Sequence, residues 1–138
     1  MKAINLYLMF DGNCAEAMKF YQKCLKADLD MMPYSEMPGG EAPPEMKNRI
    51  MHARLTKGTA TLMASDIKPD PNFKRGNNFT VSIDCESKQE VDDFANALKE
   101  GGKVTMSNQD MFWGAYFGML TDKYGIDWMF NYDYPKTK

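Results

Sequence analysis

The sequence predicts an α+β fold made of two copies of a βαβββ module, and three observations carry that prediction. Strand, helix, strand, strand, strand can be read twice along the chain, over about residues 4–66 and 78–132. Each of the two helix patterns follows directly on a segment of alternating polarity. Each strand-like segment has one apolar and one mixed parity, as a sheet must when a single helix covers one of its sides. Neither half could bury both faces of its own sheet, so residues 1–138 are expected to form a single domain.

In chain order, INLYLMF at residues 4–10 alternates Ile4, Leu6, Leu8 and Phe10 with Asn5, Tyr7 and Met9, the period of a strand. Asn13 with Glu16 three residues later is a helix start, because the Asn side chain can accept from an early free N–H while Glu reaches back. The helix is expected over about 13–26, with Ala17, Phe20, Tyr21, Cys24 and Leu25 forming its apolar stripe. A strand near 27–34 and a Pro- and Gly-rich loop at 36–47 come next. RIMHARLT (49–56) and TATLMAS (59–65) read as two strands joined at Lys57-Gly58. Met51, Ala53, Leu55, Ala60, Leu62 and Ala64 take the helix side; His52, Arg54, Thr61, Met63 and Ser65 take the other.

A polar loop at 66–77 leads into FTVSIDC at 79–85, where Phe79, Val81 and Ile83 alternate with Thr80 and Ser82, and Asn78 precedes them on the polar parity. Ser87 with Glu90 repeats the helix-start pattern. The second helix is expected over about 87–100, with Val91, Phe94, Ala95 and Leu98 buried and Gly101-Gly102 as its stop. KVTMSN (103–108), WGAYFGMLT (113–121) and IDWMFNY (126–132) complete the second module, with a turn at 122–125. There Ile126, Trp128 and Phe130 face the helix, and Asp127, Met129 and Asn131 face away.

Composition excludes several functions. A net charge of -2 with dispersed Lys and Arg gives no basic patch for nucleic acid or an anionic membrane. No apolar run approaches the roughly 18–20 residues of a membrane span, and the N-terminal apolar stretch is too short for a signal peptide, so a cytoplasmic protein is expected. Cys14, Cys24 and Cys85 are an odd number without C-x-x-C spacing and read as reduced, apolar filling. The 13 methionines supply flexible thioethers suited to an adaptable surface.

The parity facing away from the helices carries amides, hydroxyls, thioethers, Tyr7, Arg54 and the single histidine, His52. A solvated sheet face carries many Lys and Glu, whereas pockets combine apolar walls with a few orienting polar groups, which favours a cavity. His52 is the candidate general acid or base, against the alternative of an imidazole satisfied by a backbone carbonyl. Arg54 could clamp a carboxylate or phosphonate with its planar fork, or form a surface ion pair. Phe112, Trp113, Tyr116 and Phe117 are a candidate aromatic wall. Cys85, just before a helix start, could be activated but reads better as filler. Asp66 and Asp122 close strands before turns and are assigned no chemistry. Gly12, Gly76, Gly101 and Gly125 read as turn glycines, since no phosphate-cradling loop is present.

Three segments, YLMFDGNCAEAMKFYQKCL, IMHARLTKGTATLMASD and DMFWGAYFGMLTDKYGIDWMFNY, together resemble the PhnB-like branch of the vicinal oxygen chelate superfamily. That superfamily also holds glyoxalase I, extradiol dioxygenases and bleomycin-resistance proteins. The resemblance spans nearly the whole chain and implies paired modules whose mixed sheet curls around a cleft, helices outside, often completed by a homodimer partner. In metal-using members four inward His or Glu from the first, fourth, fifth and eighth strands hold a divalent ion. Strand register lays those four places on Asn5, Met63, Asn78 and Met129. Two amides and two thioethers lack the charge and basicity a divalent ion needs. Copper(I) accepts thioethers, but two well-separated Met are a weak set. No metal and no cofactor are therefore expected. Proteins of this branch are also described by likeness to a ubiquinone-pathway methyltransferase, but no S-adenosylmethionine-binding glycine loop follows a strand here.

The expected function is a metal-free cleft that binds a small molecule, with toxic or anionic compounds as the candidates, lined by Asn5, Tyr7, Met63, Asn78, Thr80, Trp113 and Met129. The alternative is a metal-independent, lyase- or isomerase-like enzyme using His52 and Arg54 on a small oxyanion substrate. A cleft that serves only as a dimer interface also stays open. Expected partners are a small molecule and a second copy of the chain, with neither nucleic acid nor membrane.

Overall fold

The computed structural model describes residues 1–40 and 42–136; Glu41 of the predicted loop, Thr137 and Lys138 lie outside the described residues. The chain runs β1 (Leu6–Phe10), α1 (Cys14–Leu25), β2 (Asp28–Pro33), β3 (Ile50–Lys57), β4 (Ala60–Asp66), β5 (Val81–Asp84), α2 (Lys88–Leu98), β6 (Lys103–Met111), β7 (Ala115–Thr121) and β8 (Asp127–Asp133). Short 3-10 turns at Tyr34–Glu36 and Pro44–Met46 punctuate the long loop. Two compact units result, Met1–Lys74 and Arg75–Lys138, each one βαβββ module. Their sheets have the orders β1-β4-β3-β2 and β5-β8-β7-β6. In each, the first strand pairs parallel with the last and the other neighbours are antiparallel. The architecture is the predicted α+β one, drawn as two four-stranded mixed sheets.

In the first unit α1 buries Cys14, Ala17, Met18, Phe20, Tyr21, Cys24 and Leu25, and the sheet contributes Leu8, Phe10, Ala53, Leu55, Leu62 and Ala64 to the same core. Fully burying a large apolar side chain stabilises by about 1.5–3 kcal/mol, so this stripe is what holds a helix of marginal length in place. Asn13 is the N-cap residue, but its side chain makes no capping hydrogen bond. The buried Asp66 at the end of β4 takes that role: its Oδ1 accepts from the N–H groups of Gly12 (2.8 Å) and Cys14 (3.0 Å). Its Oδ2 accepts from the N–H of Ile50 at 2.8 Å, so one carboxylate ties together a helix start and two strands.

Several expected face assignments differ at strand ends. Ile4 and Phe79 precede β1 and β5 and are exposed, because the two parallel ladders begin only at Leu6↔Leu62 and Val81↔Trp128. Ala60 is exposed beside the Gly58 turn. A register shift between Met32 and Pro33 turns Ile50, rather than Met51, into the core, a consequence of the extra residue a bulge inserts.

In the second unit the predicted capping box is present. Ser87 Oγ accepts from the N–H of Glu90 at 3.0 Å, and Glu90 Oε1 accepts from the N–H of Glu86 at 3.1 Å. Val91, Phe94, Ala95 and Leu98 are buried, as are Leu120, Trp128 and Phe130 of the sheet. Asp122 is buried as Asp66 is: its Oδ1 accepts from the N–H groups of Tyr124 and Ile126, and its Oδ2 from Trp128 Nε1 at 2.8 Å. Both carboxylates are structural. No described helix is long and apolar enough to cross a membrane.

Candidate functional site

Cross-strand register fixes which side chains share the side of the first sheet away from α1. Tyr7 stands beside Met63, Met63 beside Arg54 and Arg54 beside Asp30, a single row across β1, β4, β3 and β2. His52 lies two residues before Arg54 on the same side, opposite Met32. Met9 stands opposite Ser65, whose Oγ is 3.7 Å from the Met9 sulfur. Tyr7, Met9 and Met32 are 41%, 48% and 39% exposed, and His52 and Arg54 are exposed too, so two thioethers and three polar heads share an uncovered patch around the half-buried Met63.

The Tyr7 hydroxyl lies 3.0 Å from His52 Nδ1, with the two rings 5.8 Å apart and tilted by 37°. This bond settles the imidazole's geometry and couples its two tautomers to the phenol. With the phenol donating, Nε2 carries the proton and can donate to a ligand; with Nδ1–H donating, Nε2 is an acceptor able to take a proton. Arg54 makes no ion pair or hydrogen bond among the described residues, although Asp30 stands opposite on β2. An unengaged guanidinium beside an oriented imidazole is an arrangement that can bind an oxyanion and polarise or deprotonate it.

The same positions of the second unit carry different chemistry. Register places Ser82, Met129 and Met119 where the first unit has Tyr7, Met63 and Arg54, and Phe117 where it has His52. Met129, expected to line the cleft, is thus flanked by Ser82 and Met119. Trp113, in the turn between β6 and β7, packs edge-on against Phe117 at 5.6 Å. Phe112 packs on Trp113 but is 95% exposed. Tyr116 departs from the expected aromatic cluster, because its parity on β7 sends it to the α2 side. There its hydroxyl donates to Asp92 Oδ1 at 2.8 Å, and the Lys88 ammonium sits 4.6 Å from its ring centre. The bond to Asp92 pushes the phenol pKa up to about 12.

Asn5 precedes β1, and Asn78 and Thr80 precede β5, so three of the expected lining residues lie just outside the ladders. The structure brings Tyr7, His52, Arg54 and Met63 together; Met129 and Trp113 belong to the second unit. Met32 is a further neighbour of the site, and the signal in the sequence that could find it is its shared parity with Asp28 and Asp30 on β2. All three thiols are buried, and burial, with Asp66 adding, pushes Cys14 up to about 12. The donor set at Asn5, Met63, Asn78 and Met129 does not fit the divalent ion that the superfamily implies. Nor does any described group of three or more His, Cys, Asp or Glu offer such a site.

Comparison with known proteins gives consistent matches along the chain. The family described as 3-demethylubiquinone-9 3-methyltransferase matches residues 2–130. Protein YjdN of Escherichia coli K12 is 33% identical over 135 residues, 91% of each chain. Among solved structures, protein PA1353 from Pseudomonas aeruginosa has a TM-score of 0.86 at 40% identity, covering 96% of this chain and 98% of that one. A PhnB protein from Bacillus cereus has a TM-score of 0.75 at 27% identity, covering 95% and 99%. A glyoxylase/bleomycin resistance protein/dioxygenase domain from Frankia, 13% identical over 99% and 95% of the two chains, shares the fold with a TM-score of 0.70.

Proposed function

The chain belongs to the family described as 3-demethylubiquinone-9 3-methyltransferase, the PhnB-like branch of the vicinal oxygen chelate superfamily, and from that premise we propose that it binds a small anionic molecule without a divalent metal. The observation that carries the reading is the Arg54 guanidinium, without an ion-pair or hydrogen-bond partner among the described residues, beside the Tyr7–His52 pair on an uncovered sheet face. A guanidinium supplies a fixed two-pronged donor for an oxyanion, and the imidazole adds an oriented third contact. Met63, between Tyr7 and Arg54, gives an apolar floor. Methyl transfer from S-adenosylmethionine is not favoured, for want of the glycine loop that would hold the cofactor.

A panel of small carboxylates, phosphonates and sulfonates in a thermal-shift assay tests this. A ligand at roughly 100 times its Kd adds about 2.7 kcal/mol, on the order of 10 °C for a chain of this size. Arg54→Ala should abolish the shift. A flat response across the panel, or a shift that survives Arg54→Ala, overturns the reading.

The Tyr7–His52 hydrogen bond favours a second reading, in which the same face catalyses a proton transfer on a bound oxyanion as a lyase or isomerase would. His52→Gln should then remove turnover while leaving the thermal shift in place. Unchanged turnover would take His52 out of the reaction.

A further inference from the structure

We infer that the anion this face accepts is an aromatic monocarboxylate, an inference that rests on the small-anion reading and narrows it. Charge sets the valence. Arg54 is flanked on the edge strand by Asp30, opposite it, and by Asp28, two residues away on the same parity. The two carboxylates oppose any anion held by this one guanidinium, and they repel a phosphate or phosphonate dianion about twice as strongly as a singly charged group, so between the two a monoanion is favoured. Geometry sets the head group. A carboxylate matches the planar fork of Arg54 and leaves an oxygen edge for the His52 imidazole, two residues along the same strand.

The surroundings set the body. Met63 lies between the Arg54 and Tyr7 positions, Met32 opposite His52 and Met9 two residues beyond Tyr7, so the floor beside the head group is thioether rather than charged. Sulfur makes favourable contacts with aromatic ring edges, and flexible Met side chains reshape around a rigid ring. The tilted Tyr7–His52 ring pair, held by its hydrogen bond, adds an aromatic wall whose orientation is already fixed before a ligand arrives.

The test titrates 2-naphthoate into protein carrying carbon-13 methionine methyl groups, with affinities from calorimetry. Comparison compounds are 2-naphthalenemethanol, phenylphosphonate and cyclohexanecarboxylate. We expect 2-naphthoate to move the methyl signals of Met63 and Met32 and to bind at least tenfold more tightly than each of the other three. Arg54→Gln, at an exposed position, should weaken it at least tenfold, and Met63→Gln should weaken naphthoate more than cyclohexanecarboxylate. Tighter binding of phenylphosphonate at the same methyls overturns the monocarboxylate inference and leaves the small-anion reading standing. Equal binding of cyclohexanecarboxylate overturns the aromatic part. Silence of these methyls toward every anion sinks both. Methyl shifts that instead follow protein concentration, with a doubled mass in solution, assign the face to a second copy of the chain and also overturn the inference.

Discussion

Replacing Asp66 by Asn exchanges one carboxylate oxygen for an amide nitrogen at a place where three backbone N–H groups converge. Asp66 is 2% exposed and receives Gly12 and Cys14 on one oxygen and Ile50 on the other, all within 2.8–3.0 Å. An Asn can present only one acceptor atom, so at least one N–H faces an NH2 group, and an unsatisfied buried donor costs about 1–3 kcal/mol. Loss of the negative charge at the start of α1 adds about 0.3–1 kcal/mol. Asp66→Asn should therefore destabilise by about 2–3 kcal/mol. Asp66→Ala strands all three donors, partly relieved by water, and should cost about 4–6 kcal/mol, a large share of a typical 5–15 kcal/mol total. Urea unfolding followed by circular dichroism measures both, with an unchanged m-value as the check that the native state is intact. An Asn variant within about 0.5 kcal/mol of the parent, or an Ala variant no worse than Asn, would refute the assignment of Asp66 as the surrogate cap.

Three further outcomes follow from the same geometry. Ser87→Ala removes the hydrogen bond from the Glu90 N–H and should cost about 1 kcal/mol, whereas Asn13→Ala, where no side-chain cap bond exists, should cost less than about 0.5 kcal/mol; thermal unfolding compares the two. Gly118→Ala places a methyl group on Asn108, whose amide donates to Asp92 at 2.9 Å, and should destabilise by about 1–3 kcal/mol by overpacking, read as a lowered melting temperature. Cys14 has its thiol pKa raised from 9.0 to about 12 in the fold, so the native state holds a proton that the unfolded chain releases first. Its contribution to stability is thus complete below pH 9 and is lost as pH rises from 9 towards 12, and at pH 9.5 a disulfide reagent should label Cys14 only after denaturant is added.

Parity made most of this fold legible. Leu8, Phe10, Leu62, Ala64, Trp128 and Phe130 are buried where alternation put them, because a one-residue slip would send the whole set to the wrong side. Strand ends were less legible, since Ile4 and Phe79 continue the apolar alternation past the first rungs of the two parallel ladders, at Leu6↔Leu62 and Val81↔Trp128. Asn13 offered the side chain of a cap, but the helix start is held instead by Asp66, some fifty residues on in sequence, which accepts with a full charge from the N–H groups on either side of Asn13, and nothing local announces that. The candidate site follows the same pattern. Tyr7, His52, Arg54 and Met63 could be placed on one side of a sheet by counting in twos. The hydrogen bond between Tyr7 and His52 could not, because parity fixes a side chain's face and leaves its partner across 45 residues unspecified.

The parallel pairing of β1 with β4 bears on how the chain is made. Strand β1, with Leu6, Leu8 and Phe10, has its partner at Leu62–Asp66, which is synthesised only after a helix and two other strands have followed β1. Until then its apolar edge stands unmatched, an available target for a holdase or for another nascent copy. Arrival of Asp66 supplies both the last rung of that ladder and the acceptor for the start of α1, so translation past this residue is the step that lets the N-terminal half close.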